Sequence, residues 1–401
     1  MNVFLLDLAE TRLQLLPLTY TRSIGDIRVG ILKIHEKWSL RLTKKVSILT
    51  EGYLGESPAK SDSDSFIVIN SSLCPDENTI EQINQLQCGQ LLQDKGKFLA
   101  LNSNIVPEYG DKELQHNEVV EFEGSPVLIE RPWHIFQQNG EQIRQDFDLL
   151  TEGRQSQSID DPHTKIYNEE AIFLESGAQV KACILNAENG PIYIGKNAVI
   201  EEGAIIRGPF ALCDNAKVNL GAKIKGDSTF GPYCKVGGEV GNSVLFGYSN
   251  KGHEGYLGNS VIGEWCNIGA DTNTSNLKNN YAQIKLWDYS KDRFSNTGLQ
   301  FCGLIMGDYS KSGINTMFNT GTVVGLSANI FGSGFPRTII PSFGWGGATG
   351  FGTYDLTRAK EAAKIAKSRK HSEWSDADDR IFDEVFRLSQ KYRIWENEKD
   401  A

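Results

Sequence analysis

Large apolar residues recur at every sixth position through the middle of the chain, and a mostly small residue follows each of them four positions later. This period indicates short strands stacked in turns of three, with the large side chain filling the interior and the small one at a tight corner. It predicts a left-handed parallel β-helix, an exception to the usual right-handed crossover. The series runs Ile194, Ile200, Ile206, Leu212, Val218, Ile224, Phe230 and Val236.

The same register returns after interruptions, which places the predicted β-helix at residues 165–345. Hexads resume at Ile262 and again from Met306 onward. Between them, residues 277–300 are irregular and rich in aromatic side chains. We expect this segment to be a loop that leaves one corner of the prism.

Residues 353–395 follow a glycine-rich connector and have the pattern of two C-terminal helices. The first is predicted over 355–370 and the second over 375–391, where Ser375 and the acids after it suit a helix N-terminus. Apolar residues at helical spacing give the second helix one buried face. We expect these helices to pack on the end of the coil or on a neighbouring subunit.

Residues 1–155 have the pattern of an α/β domain, with short apolar runs suited to buried parallel strands. The polar segment 156–161 is interpreted as a linker that few core contacts cross, so the two domains are expected to be separable. Strands are predicted at 3–6, 45–49, 66–69 and 125–129, and helices at 31–38 and 81–86.

The net charge of −10 argues against nucleic acid as a partner. No apolar run is long enough to span a membrane, and the N-terminus has the pattern of a strand and not of a signal peptide. The seven cysteines form no C-x-x-C pair, which argues against a zinc site or a disulfide framework. Buried thiols in a reducing cytoplasm fit this composition better.

His253 is the one histidine within the hexad region, and glycines flank it. Imidazole has a pKa suited to general-base work, so His253 is a candidate base for acyl transfer. The alternative is a structural histidine at a corner. Lys251, two residues earlier, is a candidate phosphate ligand.

Asparagines concentrate after this histidine, with Asn267 and Asn276 among them, and Lys278 and Lys285 lie in the same stretch. The asparagines are candidates for hydrogen bonds to sugar hydroxyls, and the lysines for phosphate contacts. The alternative is an asparagine ladder or a set of turn formers.

The region around His253 resembles the acetyltransferase signature of the bifunctional N-acetylglucosamine-1-phosphate uridylyltransferase/glucosamine-1-phosphate acetyltransferases, and the whole chain looks like the alternative bacterial form of that family. The archaeal-type sugar-phosphate nucleotidylyltransferase/acetyltransferases look similar too. The resemblance rests on Lys251-Gly252-His253-Glu254-Gly255-Tyr256-Leu257-Gly258, Ile262-Gly263, Asn267-Ile268-Gly269-Ala270, Thr272, Asn276 and Ser312-Gly313-Ile314-Asn315.

By this resemblance, His253 matches the acetyl-transfer base, and Tyr256, Asn267 and Asn276 match sugar-phosphate contacts. The resemblance also implies an acetyl-CoA site at Gly313 and Asn315, and a homotrimer with acetyl-CoA between neighbouring coils. The chain departs from the family at Leu277, where a tyrosine is usual, and in lacking part of the basic segment before the histidine.

The N-terminal half resembles the nucleotidyltransferase pattern in reduced form, because the glycines of its phosphate loop are replaced in the segment from Asp7 to Arg12. Glycine backbone would otherwise cradle the nucleotide phosphates. We expect cationic side chains to take over this role, and no magnesium-binding aspartate is evident. The candidate nucleotide ligands are Arg12, Arg22, Arg28 and Lys33.

Three functional hypotheses follow from this resemblance. The first is a bifunctional enzyme that acetylates glucosamine-1-phosphate with acetyl-CoA and then uses UTP and Mg²⁺ to make UDP-N-acetylglucosamine. The second is an acyltransferase with a degenerate nucleotide domain, and the third is a non-catalytic scaffold that binds nucleotide sugars.

Overall fold

The computed structural model describes residues 2–55, 65–111 and 113–397. A mixed α/β domain comes first, a parallel β-solenoid of about ten turns follows, and helices close the chain. The predicted fold class is therefore confirmed in its three parts, and the left-handed sense of the coil stays a prediction. Within the described ranges, every helix is too short or too polar to cross a membrane.

The N-terminal domain is built on a six-stranded sheet in the order β2-β1-β3-β6-β5-β7. β1 runs parallel to both of its neighbours, and β6 runs antiparallel to β3 and β5. The strands are β1 (Asn2–Leu6), β2 (Val46–Leu49), β3 (Phe66–Asn70), β4 (Leu73–Cys74), β5 (Gln90–Asp94), β6 (Lys97–Ser103), β7 (Glu118–Glu121) and β8 (Val127–Leu128).

Helices connect and cover this sheet, and further helices end the chain. Short 3₁₀ turns lie at Ile24–Asp26, Gly52–Leu54, Glu169–Ala171 and Gln390–Tyr392. The α-helices are α1 (Ala9–Gln14), α2 (Ile34–Leu42), α3 (Glu77–Gln85), α4 (Pro132–Thr151), α5 (Leu356–Ser368), α6 (Asp376–Leu388) and α7 (Ile394–Asn397).

The solenoid has three faces, each a ladder of parallel strands from successive turns. Face 1 contains Ile172–Leu174, Ile192–Ile194, Phe210–Leu212, Ser228–Phe230, Ile305–Met306, Val323–Val324 and Ile339–Ile340. Face 2 contains Gln179–Val180, Val199–Ile200, Lys217–Val218, Lys235–Val236, Asn250–Lys251, Asn267–Ile268, Lys311–Ser312, Asn329–Ile330 and Gly344–Gly347. Face 3 contains Lys165–Tyr167, Ile184–Asn186, Ile205–Arg207, Lys223–Ile224, Asn273–Thr274 and Met317–Phe318.

Two long strands, Glu239–Gly247 and Tyr256–Glu264, continue from face 3 into face 1, and each bends at a residue with positive φ, Asn242 or Asn259. The hexad residues lie where the sequence predicts, since all eight from Ile194 to Val236 are at most 3% exposed and share one interior core. The last face 2 strand pairs with Gly350–Thr353 in an antiparallel hairpin that ends the coil.

The N-terminal domain packs on face 1 of the solenoid through a continuous hydrophobic core. Phe246, Val261 and Ile305 of the solenoid belong to the same buried cluster as Leu5 and Phe136 of the α/β domain. The expectation that few core contacts cross the linker is therefore wrong, because the chain folds back after the linker and buries one apolar face on the other.

Residues 277–300 leave the corner between face 3 and face 1, as predicted, but they form a hairpin instead of an irregular loop. Lys285–Asp288 pairs antiparallel with Arg293–Asn296. Leu286 and Tyr289 are buried in the core shared with the N-terminal domain. The hairpin therefore helps to hold the two domains together.

Candidate functional site

A groove of about 790 Å³ lies between the outward side of face 2 and helix α5. Its floor comes from strand residues such as Asn250 and Asn267, and its far wall from the end of α5, including Ile365. The exposed side chain of His253 stands at this groove. The structure thus places the predicted base beside a cleft that is open to solvent.

Four cations line the groove, and no acidic side chain from the described ranges does. Lys235 and Lys311 come from face 2, while Arg369 and Lys370 follow α5. Among the described residues, none of the four has a carboxylate within salt-bridge distance, although the chain carries a net charge of −10. A groove with this charge favours an anionic ligand.

Two of these cations, Lys311 and Lys370, have lowered pKa values. Burial lowers the pKa of Lys311. Burial and the neighbouring charges of Lys235 and Arg369 lower the pKa of Lys370. A bound phosphate would relieve both effects, because a nearby opposite charge favours the protonated amine.

His253 lies in a tight turn between face 2 and face 3. Glycine is required on both sides of the turn: a Cβ on Gly238, which has φ of +70°, would lie 2.8 Å from the carbonyl oxygen of His253. A Cβ on Gly255, with φ of +117°, would collide with the carbonyl oxygen of Thr272 in the next coil. Gly238 in the preceding coil and Gly255 after the histidine therefore let this turn pack against both neighbouring coils.

Lys251 lies behind this turn and not in the groove. Its side chain is 2% exposed and enters the solenoid interior, in register with the buried Val236. Its Nζ donates to the carbonyl oxygens of Gly237 at 3.1 Å and His253 at 2.6 Å. The predicted phosphate contact does not fit this geometry, because the ammonium faces inward and is already hydrogen-bonded.

Tyr256 and Asn276 meet on the other side of the corner. The amide of Asn276 donates to the Tyr256 hydroxyl at 3.0 Å and to Asn259 Oδ1 at 2.7 Å. Asn267 is exposed in the groove, one coil from Asn250. Of these predicted sugar-phosphate ligands, Asn267 thus lies in the groove with the predicted base His253, while Tyr256 and Asn276 form a separate polar cluster.

Lys278 and Lys285 belong to the segment that leaves the corner after Asn276. Lys278 donates to the carbonyl oxygen of Gln283 at 3.3 Å. Lys285 is exposed on the hairpin. Neither lines the groove.

Gly313 and Asn315 lie at the same corner as His253, two coils further along. The Asn315 N–H donates to the carbonyl oxygen of Ala270 at 2.8 Å in the intervening coil. Strand spacing puts two coils roughly 10 Å apart. Ile314, between the two predicted residues, is 71% exposed and lines the groove.

An aromatic stack forms the corner between face 1 and face 2, beside the groove. Successive ring centroids of Tyr233, Tyr248, Trp265 and Tyr309 lie 5.2, 4.1 and 6.1 Å apart. All four residues have φ between 55° and 62°, which is uncommon for bulky side chains. Tyr248 and Trp265 line the groove on one side and a second pocket on the other.

The predicted nucleotide ligand Arg12 is a core residue. It pairs with the buried Asp7 at 2.8 Å and donates to the carbonyl oxygens of Thr19 and Arg22. Asp7 also accepts from Thr50 Oγ1 at 2.6 Å. The replaced phosphate loop is thus closed by an internal ion pair, which leaves Arg12 unavailable to a nucleotide.

Arg22 and Arg28 join the N-terminal domain to the solenoid. Arg22 donates to both carboxylate oxygens of Asp308, at 3.1 and 2.6 Å, and its guanidinium lies over the ring of Phe246. Arg28 donates to the carbonyl oxygens of Phe246 and Ile31. Both arginines are buried. The prediction of nucleotide contacts does not match the placement of Arg28, whereas Arg22, although paired with Asp308, borders a pocket.

Lys33 lines a pocket, and Arg22 borders the same one. This junction pocket, of about 490 Å³, lies where the N-terminal domain, the solenoid and the C-terminal helices meet, near the carboxyl end of β2. Its charges are paired: Lys33 with Asp26, Arg22 with Asp308, and Lys367 with Asp378. Among the described residues, no group of three or more acidic, histidine or cysteine side chains is arranged to hold a metal ion.

Sequence reasoning missed the groove cations and the aromatic wall. A signal was present, because Lys235 and Lys311 each immediately precede an inward residue of face 2 and so must point outward. The missed residues are Lys235, Lys311, Arg369, Lys370, Tyr248 and Trp265.

Comparison with known proteins gives one family match and several partial relatives. Residues 3–155 match a family described as sugar nucleotidyl transferase. Bifunctional protein GlmU of Trichodesmium erythraeum is 36% identical over 86 residues, 21% of this chain and 18% of that protein. A bifunctional sugar-1-phosphate nucleotidylyltransferase/acetyltransferase of Sulfurisphaera tokodaii is 26% identical over 274 residues, 65% of this chain and 61% of that protein.

The chain therefore spans between about a fifth and three fifths of the length of these two curated relatives. Among solved structures, the polySia specific acetyltransferase NeuO aligns with 54% of this chain and 98% of its own. That alignment has 16% identity and a TM-score of 0.27, which adds nothing to the fold described above.

Proposed function

Since the chain joins a domain of the sugar nucleotidyl transferase family to a parallel solenoid, a combination consistent with a GlmU-type bifunctional protein, we propose that its groove transfers an acetyl group from acetyl-CoA to the amine of glucosamine-1-phosphate. The observation that carries this proposal is an exposed histidine beside a groove with four cations that have no carboxylate partner in the described part of the chain. Both substrates are phosphorylated, and the amine needs a base.

In this reaction His253 accepts a proton from the amine as its nitrogen attacks the thioester carbonyl. The C–S bond breaks, coenzyme A leaves as a thiolate, and the proton returns to that sulfur. Lys235, Lys311 and the two cations after α5 bind the phosphates. Exposed Ile314 and Ile365 offer the donor's alkyl arm an apolar contact.

Thiol release from acetyl-CoA tests the acyl transfer. We expect release that depends on glucosamine-1-phosphate and falls at least tenfold with unphosphorylated glucosamine, because the groove cations then lose one anion. A purified, folded protein that releases no thiol with any amino-sugar phosphate would reject the proposal.

Uridylyl transfer is the second candidate, favoured by the family match over residues 3–155 and by the junction pocket beside β2. Parallel α/β sheets bind ligands at the carboxyl ends of their strands. UTP and N-acetylglucosamine-1-phosphate would give UDP-N-acetylglucosamine and pyrophosphate, with Lys33 and Lys367 at the pocket. The paired carboxylates there do not suit Mg²⁺, so we derive no step through the metal.

Pyrophosphate release and calorimetry with UTP separate the bifunctional enzyme from its alternatives. Pyrophosphate release together with thiol release would indicate two activities, while thiol release alone would indicate an acyltransferase with a degenerate nucleotide domain. Nucleotide-sugar binding without either activity would indicate a scaffold. A cytoplasmic homotrimer remains part of the proposal, and light scattering tests its size.

A further inference from the structure

Lys251 occupies an inward position that both neighbouring coils fill with apolar residues, Val236 and Ile268. Along face 2 the inward residues Ile200, Val218 and Val236 are in register, and Lys251 pairs with Val236 in the next coil. A charged group inside such a prism is costly unless hydrogen bonds compensate for the lost water. Its presence there calls for a reason within the fold.

The reason lies in the corner after Val236, which lacks the backbone hydrogen bond that closes the turn in a regular coil. After the inward residue of a regular coil, the next carbonyl accepts from the N–H three residues on, as Asn219 does from Ala222 and Gly269 from Thr272. Gly237 has no such partner: in the described part of the chain, no backbone N–H donates to its oxygen.

The irregular corner follows from coil length. Leu212 pairs with Phe230, 18 residues on, whereas Phe230 pairs with Leu245 after 15 and Leu245 with Ile262 after 17. The first short coil has only four residues from Val236 on face 2 to Val240 on face 3, where a regular coil has six, and its corner turn loses a backbone hydrogen bond. The second keeps six residues from Lys251 to Leu257 and loses its one position between faces 3 and 1. The Lys251 ammonium spans the two coils by donating to Gly237 and His253.

We propose that Lys251 is a positioning residue, which fixes the turn that carries His253 by holding the carbonyl oxygen of His253 from inside the solenoid. This inference rests on the proposed acyl transfer. Lys251 acts through the histidine and contacts no substrate, since its side chain is sealed behind the groove floor.

The first test is Lys251→Met, which fits the apolar column but cannot donate. We expect kcat for acetyl transfer to fall at least tenfold while KM for both substrates changes less than twofold. In a His253→Ala background the same substitution should lower the rate less than twofold, because coupled residues are not additive. Ile200→Met, three coils away on the same face, is the matched control and should leave kcat within twofold.

Two kinetic outcomes would overturn the inference. A rise in KM for glucosamine-1-phosphate at unchanged kcat would make Lys251 a phosphate ligand. An effect that adds fully to that of His253→Ala would show that Lys251 does not act through the histidine.

The second test needs no activity, so it separates this inference from the proposed function. Amide hydrogen exchange of residues 252–255 should quicken at least tenfold in Lys251→Met, while residues 313–315 at the same corner stay unchanged. Equal protection of the turn in both proteins would contradict the inference, even if the wild-type protein transfers no acetyl group.

Discussion

At the scale of single residues, inward or outward direction decides which lysines can meet a ligand. Lys235 and Lys311 precede the inward residue of their strands and reach the groove, whereas Lys251 occupies the inward position itself. The sequence shows His253 because it stands alone among glycines. It could not show the direction of Lys251, because the first short coil shifts the hexad count before it.

The groove cations give a prediction about substrate affinity. The double substitution Lys235→Gln and Lys311→Gln removes two charge-assisted contacts, so KM for the phosphorylated substrates should rise roughly 10–100-fold, with a smaller change in kcat. Steady-state thiol release measures both constants. Lys181→Gln, at an early coil beside face 2, is the control and should change neither; an unaltered KM in the double variant would remove the groove from substrate binding.

The stability of the protein should depend on the protonation of Lys251. Burial lowers its pKa to about 8, below that of a lysine in an unfolded chain. Between these two pKa values the unfolded chain holds the proton and the native protein does not. The free energy of unfolding therefore increases as pH rises from about 8 to 10. Chemical denaturation over this range should show the free energy of unfolding of wild type increasing relative to that of Lys251→Met. A difference between the two proteins that stays constant with pH would mean that the pKa of Lys251 is not lowered.

At the scale of elements, the regular parts of the chain were predictable and the interrupted parts were not. The hexads determine the solenoid because each inward residue meets the same environment one turn away. The helix predicted at 31–38 starts instead at Ile34, and α4 was missed altogether. Gly140 and Asn139 weaken its helical pattern, yet they fit the contact with the solenoid, where Asn139 donates to the carbonyl oxygen of Asp227 at 2.9 Å.

Neighbouring isoleucines on one strand test the inward direction of the hexads. Ile206 is fully buried, and Ile205 beside it is 44% exposed. Ile206→Asp should destabilise the coil by several kcal/mol or prevent folding, because it buries an unpaired carboxylate, as Val218→Asp would. Ile205→Asp should shift the melting temperature by only a few degrees; equal effects of the two changes would refute the assigned register.

At the scale of the whole molecule, the α/β domain, the solenoid and the C-terminal helices form one assembly. The domain packs on face 1, while α5 and α6 cover the aromatic corner through residues such as Phe382. No local sequence pattern predicts this arrangement, because residues such as Phe246 and Val261 belong to strands with the ordinary alternation of inward and outward side chains. Which surface packs against an apolar face depends on the shapes of both surfaces, and the sequence of one face alone does not determine it.

Because the N-terminal domain packs on the solenoid, we expect each of the two halves to stabilise the other. Cleavage at a protease site placed between Thr151 and Lys165 should leave them associated in size-exclusion chromatography, because the shared core and the Arg22–Asp308 pair remain. A fragment from residue 160 onward, made alone, should melt lower or aggregate, because Phe246 and Ile305 become exposed. Separate fragments with the full-length melting temperature would show that the interface contributes little.

The most direct test of the central claim is the rate of acetyl transfer by His253→Ala. The side chain is exposed, and Lys251 holds the turn through the backbone carbonyl of residue 253, which the substitution keeps, so the variant should fold with an unchanged melting temperature. Loss of a general base should lower kcat by about 10²–10⁴-fold, with KM for acetyl-CoA and glucosamine-1-phosphate within about twofold of wild type. Thiol release at a near-normal rate from a folded His253→Ala protein would contradict the assignment of this groove as the site of acyl transfer.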